Sequence, residues 1–320
     1  MSKDKSILVT GGAGFIGGHL VERLLQDGKQ VVVIEDLSTG SLDNLAAVAR
    51  HPRLRFIHSK ISDCKEFPKL VAEAEFIFHL AATVGVELVV QSALHVLEAS
   101  FKETQMVLHT AAQHSTPLIL TSSSEVYGKS AKAEFSEEDD LLIGPPSHSR
   151  WSYACAKLTD EFLALACARE KHLPVTIARL FNTVGPRQTG RYGMVLPRFI
   201  AAAKTDEPLK VYGDGAQSRC FCLVHDVVEA LIRLQGCPQA RSEIFNIGST
   251  EEISILELAR LVVATLDSKS EITLIPYDQA YAPGFDDMRR RKPCVEKLNK
   301  FINFKPQTSL RDIIRLTAAV

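Results

Sequence analysis

The sequence has no surplus of charge. Among 320 residues, 37 Lys and Arg face 38 Asp and Glu, a formal net charge of -1. That balance gives no electrostatic reason to expect a nucleic acid or an anionic membrane as partner. No apolar run reaches the roughly 18 to 20 residues that span a bilayer. The polar first residues lead straight into a strand, so no secretory leader is expected. No repeat of solenoid length and no low-complexity tract occurs. Cysteine is sparse. The seven cysteines are an odd count spread thinly; Cys220 and Cys222 stand two apart, and no CxxC pair exists. This argues against a disulfide framework and against zinc, and it points to reduced thiols and a cytoplasmic protein that needs no metal.

What is present is ordinary for a globular chain: 46% hydrophobic and 23% charged residues, enough for one large domain or two fused ones. In the first half, short apolar runs alternate with longer helical patterns. Strands are expected at 6–10, 30–34, 55–58, 76–80, 118–121 and 175–180, and helices at 15–27, 89–112 and 153–172. Strands alternating with helices mean a parallel sheet covered on both faces. Beyond Asn182 the texture changes. Glycine, proline and basic residues crowd 185–197, and helical pattern returns at 226–234 and 254–266. The reading is a doubly wound α/β fold with a smaller mixed α/β lobe. Residues 1–180 form the first domain, with 220–248 returning to it; 181–219 and 249–320 form the lobe, which suits substrate binding.

The segment Gly11-Gly12-Ala13-Gly14-Phe15-Ile16-Gly17 follows the first strand and opens the first helix. Gly11, Gly14 and Gly17 leave backbone N–H groups and a helix N-terminus open to a pyrophosphate. Glu35 ends the second strand, where a carboxylate can accept both hydroxyls of an adenosine ribose, and Asp36 follows it. No Arg or Lys lies between Glu35 and Arg50 to cradle a 2′-phosphate, which favours NAD over NADP. Tyr153 and Lys157 stand one helical turn apart on one face. A lysine ammonium beside a phenol, with an oxidised nicotinamide adding charge, lowers the tyrosine pKa toward working pH and makes it a general base. His79, His109, His114 and His225 are read as structural.

Taken together, these residues resemble the extended short-chain dehydrogenases/reductases of the nucleotide-sugar epimerase/dehydratase family. The resemblance rests on Thr10 to Gly17, on His79-Leu-Ala-Ala82, Ser122-Ser-Ser-Glu-Val-Tyr-Gly128 and Tyr153-xxx-Lys157, and on Arg179-Leu-Phe-Asn182, Gly185-Pro-Arg187, Val211-Tyr-Gly-Asp-Gly215 and Arg219. It runs from about residue 6 to about 315 and implies a Rossmann fold. By resemblance, Tyr153 removes the sugar 4-hydroxyl proton, Lys157 holds the nicotinamide ribose, and Ser123 binds the same sugar oxygen, with Ser124 and Glu125 beside them. Phe15, Ile16, Leu80, Ala81 and Ala82 fall to the cofactor. Val84, Gly85 and Val195 fall to the substrate. Asn182, Arg219 and Arg291 resemble ligands of a nucleotide diphosphate or its sugar, and Val211 and Tyr212 resemble a segment that packs on uracil. Where the family often has an Asp and an apolar residue against adenine, this chain has Lys60-Ile61. A lysine cannot accept the adenine amino proton; Asp63 is the candidate replacement.

The resemblance implies a UDP-sugar, a homodimer paired through the two long helices, and a 4-keto intermediate. Two outcomes share that intermediate. Returning hydride to the opposite face is 4-epimerisation; losing the C6 carboxylate of a uronate is decarboxylation. Glu125, Arg150-Trp151-Ser152-Tyr153 and Arg219-Cys220-Phe221 resemble uronate decarboxylases. The loop with Arg187 and Arg191 resembles epimerases, and a guanidinium there could hold a C6 carboxylate in the sugar plane and slow its loss. The expectation is 4-epimerisation of UDP-glucuronate or UDP-glucose, with decarboxylation as the alternative and an NAD-binding sensor less favoured. Dehydration ranks low because Ser124 replaces the expected acid.

Overall fold

Seven strands, most of them buried on both faces, make one parallel sheet. The structure, a computed structural model, describes residues 5–82, 93–190, 194–276 and 288–319. The strands in chain order are β1 (Ser6–Thr10), β2 (Gln30–Glu35), β3 (Leu54–His58), β4 (Ala74–His79), β5 (Leu118–Ser123), β6 (Val175–Leu180), β7 (Thr183–Val184), β8 (Leu209–Tyr212), β9 (Ser218–Cys220), β10 (Cys222–Leu223), β11 (Ile244–Ile247), β12 (Glu252–Ser254) and β13 (Ile272–Ile275). The large sheet has the order β11-β6-β5-β4-β1-β2-β3, and every neighbouring pair in it is parallel. Its strands read as unbroken apolar runs because successive side chains enter different cores. Ile7 and Val9 join one cluster while Leu8 joins the other. Val31 and Val33 likewise oppose Val32 and Ile34.

The helices in chain order are α1 (Phe15–Gln26), α2 (Phe67–Glu73), α3 (Ala93–His114), α4 (Trp151–Lys171), α5 (Val195–Lys204), α6 (Val224–Gln235), α7 (Ile255–Leu266), α8 (Glu296–Ile302) and α9 (Leu310–Ala318). α1 and α6 cover one face of the sheet, with Leu20, Leu24, Val227 and Leu231 in that core. α2, α3 and α4 cover the other, through Leu70, Leu108 and Ala164. Each fully buried Leu, Ile or Val here contributes about 1.5–3 kcal/mol. A separate core joins α5, α7 and α9 to β8 and β13, through Phe199, Val211, Leu258 and Ile313. α7 starts in a capping box between Ser254 and Glu257. α4 stops at His172, whose φ of 55° is left-handed.

The short elements β7 to β10, β12, β13, α2, α8 and α9 were not expected from periodicity. Each is two to nine residues long, too short to show a repeat, and is held by the segment it packs on. β1 and β4 are neighbours, with β2 and β5 on opposite sides of them. The winding reverses at that point, and the crevice beyond the carboxyl ends of these strands is where such sheets bind ligands. The glycine turn after β1, the Leu80–Ala82 segment after β4 and Ser123 at the end of β5 all meet it.

Candidate active site

The first βα turn is built so that nothing but backbone faces the crevice. Gly11 has φ 72°, and a Cβ there would lie 2.7 Å from the Ala81 nitrogen. A Cβ on Gly17 would run into the Gly11 carbonyl. Gly14 caps α1 with no side-chain bond to the helix, so the first-turn N–H groups stay open to an anion. Phe15, Ile16, Leu80, Ala81 and Ala82 are half-buried around this turn. Glu35 is 7% exposed and accepts from the Ala13 N–H at 3.2 Å and the Leu37 N–H at 3.0 Å. Burial pushes its carboxyl up against those two donors. Asp36 instead closes its own turn, accepting from Ser38 at 2.7 and 2.9 Å. Lys60 and Asp63 are exposed. Ile61 is 3% exposed in the sheet core. His79 lies buried between Thr10 and Thr104, 2.7 and 3.2 Å from their hydroxyls, and burial lowers its pKa to about 3.

Tyr153 and Lys157 sit in the first turns of α4, whose N-cap is Arg150. The Lys157 ammonium donates to the Thr121 carbonyl at 3.2 Å and lies 3.6 Å from the Asp160 carboxylate. β5 ends at Ser123, which caps a 3-10 turn over Ser124–Tyr127. The Ser123 hydroxyl accepts from the Glu125 N–H at 3.2 Å and is hydrogen-bonded to the Tyr153 phenol. Glu125 is gripped by Arg291 at 2.6 Å and Arg150 at 3.2 Å. Burial pushes its carboxyl up, but Arg291, Arg150 and Arg219 outweigh that and hold it below the ordinary range. Glu125 is therefore an ionised carboxylate. The protein's own groups push Tyr153 the other way from the expected lowering: burial raises its pKa most, then the Glu125 carboxylate, with Asp160 adding to them. The largest cause is burial of the phenol; the expected lowering included the charge of an oxidised nicotinamide.

Other expected site residues are scattered more widely. The Ser124 hydroxyl is buried with no hydrogen-bond partner among the described residues. The Asn182 amide donates to the Cys220 carbonyl at 2.9 Å, tying the chain after β6 to β9. The Arg219 guanidinium donates to the Ser218 carbonyl at 2.8 Å and adds its charge near Glu125. Val211 is a correction: it is fully buried in the small-lobe core, because β8 alternates and turns Tyr212 to the other face. Tyr212 is covered by the Arg198 guanidinium, 4.8 Å from its ring centroid. Val195 opens α5 and is half-buried. Arg187 is the largest correction. Its fork grips Glu22 of α1 at 2.6 and 2.9 Å, the Asn44 carbonyl at 2.9 Å and His19 at 2.8 Å. A fork filled by a carboxylate of the protein cannot clamp one on a sugar. Val84, Gly85 and Arg191 lie outside the described residues.

Two features escaped the sequence reading. Asp160 beside Lys157 was legible in principle, since positions 153, 157 and 160 repeat on one helix face. Glu161 makes a buried bidentate pair with Arg179 of β6, at 2.7 Å in its shortest contact, and accepts from the Ser122 hydroxyl at 2.5 Å. Nothing local to Glu161 announces a partner 18 residues away.

A model of the NAD dependent epimerase/dehydratase family matches residues 7–248. The chain belongs to that family. It is 40% identical, over 306 residues, to UDP-N-acetyl-alpha-D-glucosaminuronate decarboxylase of Bacillus cytotoxicus, covering 95% of this chain and 94% of that protein. It is similar to the solved UDP-N-acetylglucosamine 4-epimerase of Methanobrevibacter ruminantium in complex with UDP-N-acetylmuramic acid, with TM-score 0.89 and 28% identity over 99% of this chain and 98% of that one. UDP-glucuronic acid 4-epimerase of Bacillus cereus, solved with UDP-glucuronic acid and NAD, superposes with TM-score 0.87 at 26% identity, covering 98% of each chain. This member of the NAD dependent epimerase/dehydratase family is thus an NAD-dependent enzyme of the nucleotide-sugar class. The residues present fit NAD: the turn is a cradle that a Cβ at Gly11 or Gly17 would fill, and the Glu35 carboxylate stands beside it, bonded to the Ala13 N–H of that turn.

Proposed function

We propose that this chain decarboxylates a UDP-linked uronic acid through a 4-keto sugar. Residues 1–180 and 220–248 hold NAD in this reading, and 181–219 and 249–320 hold the nucleotide sugar. The observation that carries it is Glu125, an ionised carboxylate clamped by Arg150 and Arg291 next to the Ser123–Tyr153 contact. The guanidiniums of Arg150, Arg219 and Arg291 converge on one carboxylate, which leaves positive charge for an anionic substrate. A sugar carboxylate beside Glu125 suffers like-charge repulsion that is relieved when it leaves as carbon dioxide. An ionised Glu125 has no proton to give a departing hydroxyl, and Ser124 is no acid, so loss of water from C5–C6 is disfavoured. Of the two guanidiniums that could retain the carboxylate, and so favour 4-epimerisation, Arg187 is committed to Glu22, and Arg191 lies outside the described residues. The relative named as a uronate decarboxylase points the same way.

Bound NAD supplies one piece of chemistry, reversible acceptance of a hydride from sugar C4. The open N–H groups of α1 hold its pyrophosphate, Glu35 its adenosine ribose and Lys157 its nicotinamide ribose. Tyr153 as phenolate takes the O4 proton. Because burial and Glu125 oppose its ionisation, it needs both Lys157 and the nicotinamide charge to act. In the ketone that results, the C5–C6 bond breaks, its electron pair enters a C4–C5 enolate, carbon dioxide leaves, and C5 takes a proton from water. Tyr153, now carrying the O4 proton, and Ser123 hydrogen-bond the enolate oxygen. Tyr153 then gives its proton back to O4 as C4 regains the hydride, so that the net loss is one carbon dioxide.

A homodimer belongs to this reading. Leu94, Leu97 and Phe101 on α3 and Phe162 on α4 are exposed, and α3 and α4 pack on each other. All seven cysteines are free thiols, which fits a reducing cytoplasm. Among the described residues no helix is long and apolar enough to cross a membrane.

The test is incubation with UDP-glucuronate and with UDP-N-acetylglucosaminuronate, followed by mass analysis. The expected product is lighter by one carbon dioxide. Unchanged mass with a new sugar signal would overturn decarboxylation in favour of 4-epimerisation. Stoichiometric NAD with no turnover of either sugar would favour the sensor.

A further inference from the structure

Asp160 is a buried carboxylate for which the chemistry above has no use. It is 1% exposed. Its Oδ2 accepts from the Ser100 hydroxyl at 2.8 Å and lies 3.6 Å from the Lys157 ammonium. Its Oδ1 has no hydrogen-bond partner among the described residues. On α4 it stands at i+7 from Tyr153 and i+3 from Lys157, so all three share one face. The Lys157 ammonium, one turn from the phenol, is thereby paired with a carboxylate.

We propose that Asp160 is a positioning residue of the Tyr153–Lys157 pair: its buried carboxylate takes up part of the Lys157 charge and so sets the pH at which Tyr153 acts as a base. Among the described residues, the groups that face these two are as follows. Around Tyr153 are Lys157 and Asp160 from its own helix, Ser123 and Glu125 from the end of β5, and Arg291, with Arg150 and Arg219 behind Glu125. Around Asp160 are Lys157, the Ser100 and Thr104 hydroxyls of α3 and, through Thr104, the neutral His79 of β4. Glu161 is occupied by Arg179. Burial and the Glu125 carboxylate keep the Tyr153 phenol protonated, and the Asp160 carboxylate adds to them. Only an added cation tips it. Asp160 thereby ties the strength of the base to the presence of the oxidised cofactor. The proposal rests on Tyr153 as the base but not on which product forms.

The experiment is the pH profile of kcat/KM for the NAD-loaded protein, beside a tyrosinate absorbance titration referenced to Tyr153→Phe. Asp160→Asn keeps the hydrogen-bond acceptor and removes the charge. The acidic limb and the Tyr153 titration should both move to lower pH by about one unit, about tenfold more phenolate at a given pH below the limb. Asp160→Glu should restore the original limb. An unchanged limb, or one displaced upward, overturns the proposal. If Asp160→Asn does not fold, Ser100→Ala serves. It takes a hydrogen bond from the charged carboxylate and should move the limb the same way by a smaller step; no movement overturns the proposal equally. An unexpected product would count against decarboxylation and leave this test standing.

Discussion

At the scale of the residue, the decisive group is Glu125. Glu125→Gln keeps its size and removes its charge. It should cut uronate turnover by about 10²- to 10⁴-fold and leave NAD binding intact, as read by cofactor fluorescence. Tyr153→Phe should abolish turnover of every UDP-sugar without shifting the melting temperature; retained activity would remove Tyr153 as the base. The sequence made these residues legible because their spacing is local. Ser123 and Glu125 follow one strand, and Tyr153 and Lys157 share one helix turn. It hid their electrostatics. Arg291, 166 residues away in the chain, decides the charge of Glu125. Burial of the phenol, then the Glu125 carboxylate, push the Tyr153 pKa up, and the Asp160 carboxylate, three positions from Lys157, adds to them. Arg187 misled for a related reason. A guanidinium in a glycine-rich loop reads as a ligand clamp until the helix that faces it supplies Glu22.

Elements fix where those residues stand. α4 is locked to β5 and β6 by the Glu161–Arg179 pair and the Ser122 hydroxyl, all buried. Removing one partner strands a buried charge. Arg179→Met should cost about 3–5 kcal/mol in urea unfolding and disorder the Tyr153 helix with it. The Arg187–Glu22 contact is a second tie, between the turn after β7 and α1, at about one-fifth exposure on each side. Arg187→Ala should lower stability by about 1 kcal/mol. It should leave the KM for a uronate within twofold of the parent; a large rise in KM confined to uronates would restore the sugar-clamp role to Arg187. Such ties cannot be seen from periodicity, because each joins elements distant in sequence. Long elements can. The apolar runs of β1 to β6 and the 21 residues of α4 announce themselves, while two-residue β7 and β10 exist only because they pair with each other.

For the whole molecule, the doubly wound sheet was legible because buried parallel strands must be apolar on both faces, a pattern few other architectures share. Its stability should be acid-sensitive in a definite window. His79 is held neutral to about pH 3 and His19 to about pH 4, each chiefly by burial, whereas the unfolded chain takes up those protons below about pH 6.5. The folded pKa values are depressed, so stability is full above about 6.5 and falls as pH drops toward 4 and 3. Urea titrations at pH 7 and pH 5 should show the fall, and His79→Gln should remove part of that slope. Assembly is the property furthest from the sequence, because an apolar stripe on a helix reads the same whether it meets a core or a second copy. Positions 94, 97 and 101 recur at i, i+3 and i+7, yet Leu94 is 69% exposed and Phe162, on the helix packed beside it, 65%. A lone chain gains nothing by holding these side chains in water. In sedimentation velocity the protein should run as a dimer, and Phe162→Glu with Leu97→Glu should run as a monomer with an unchanged far-ultraviolet spectrum. A parent protein that sediments as a monomer at micromolar concentration would refute the pairing.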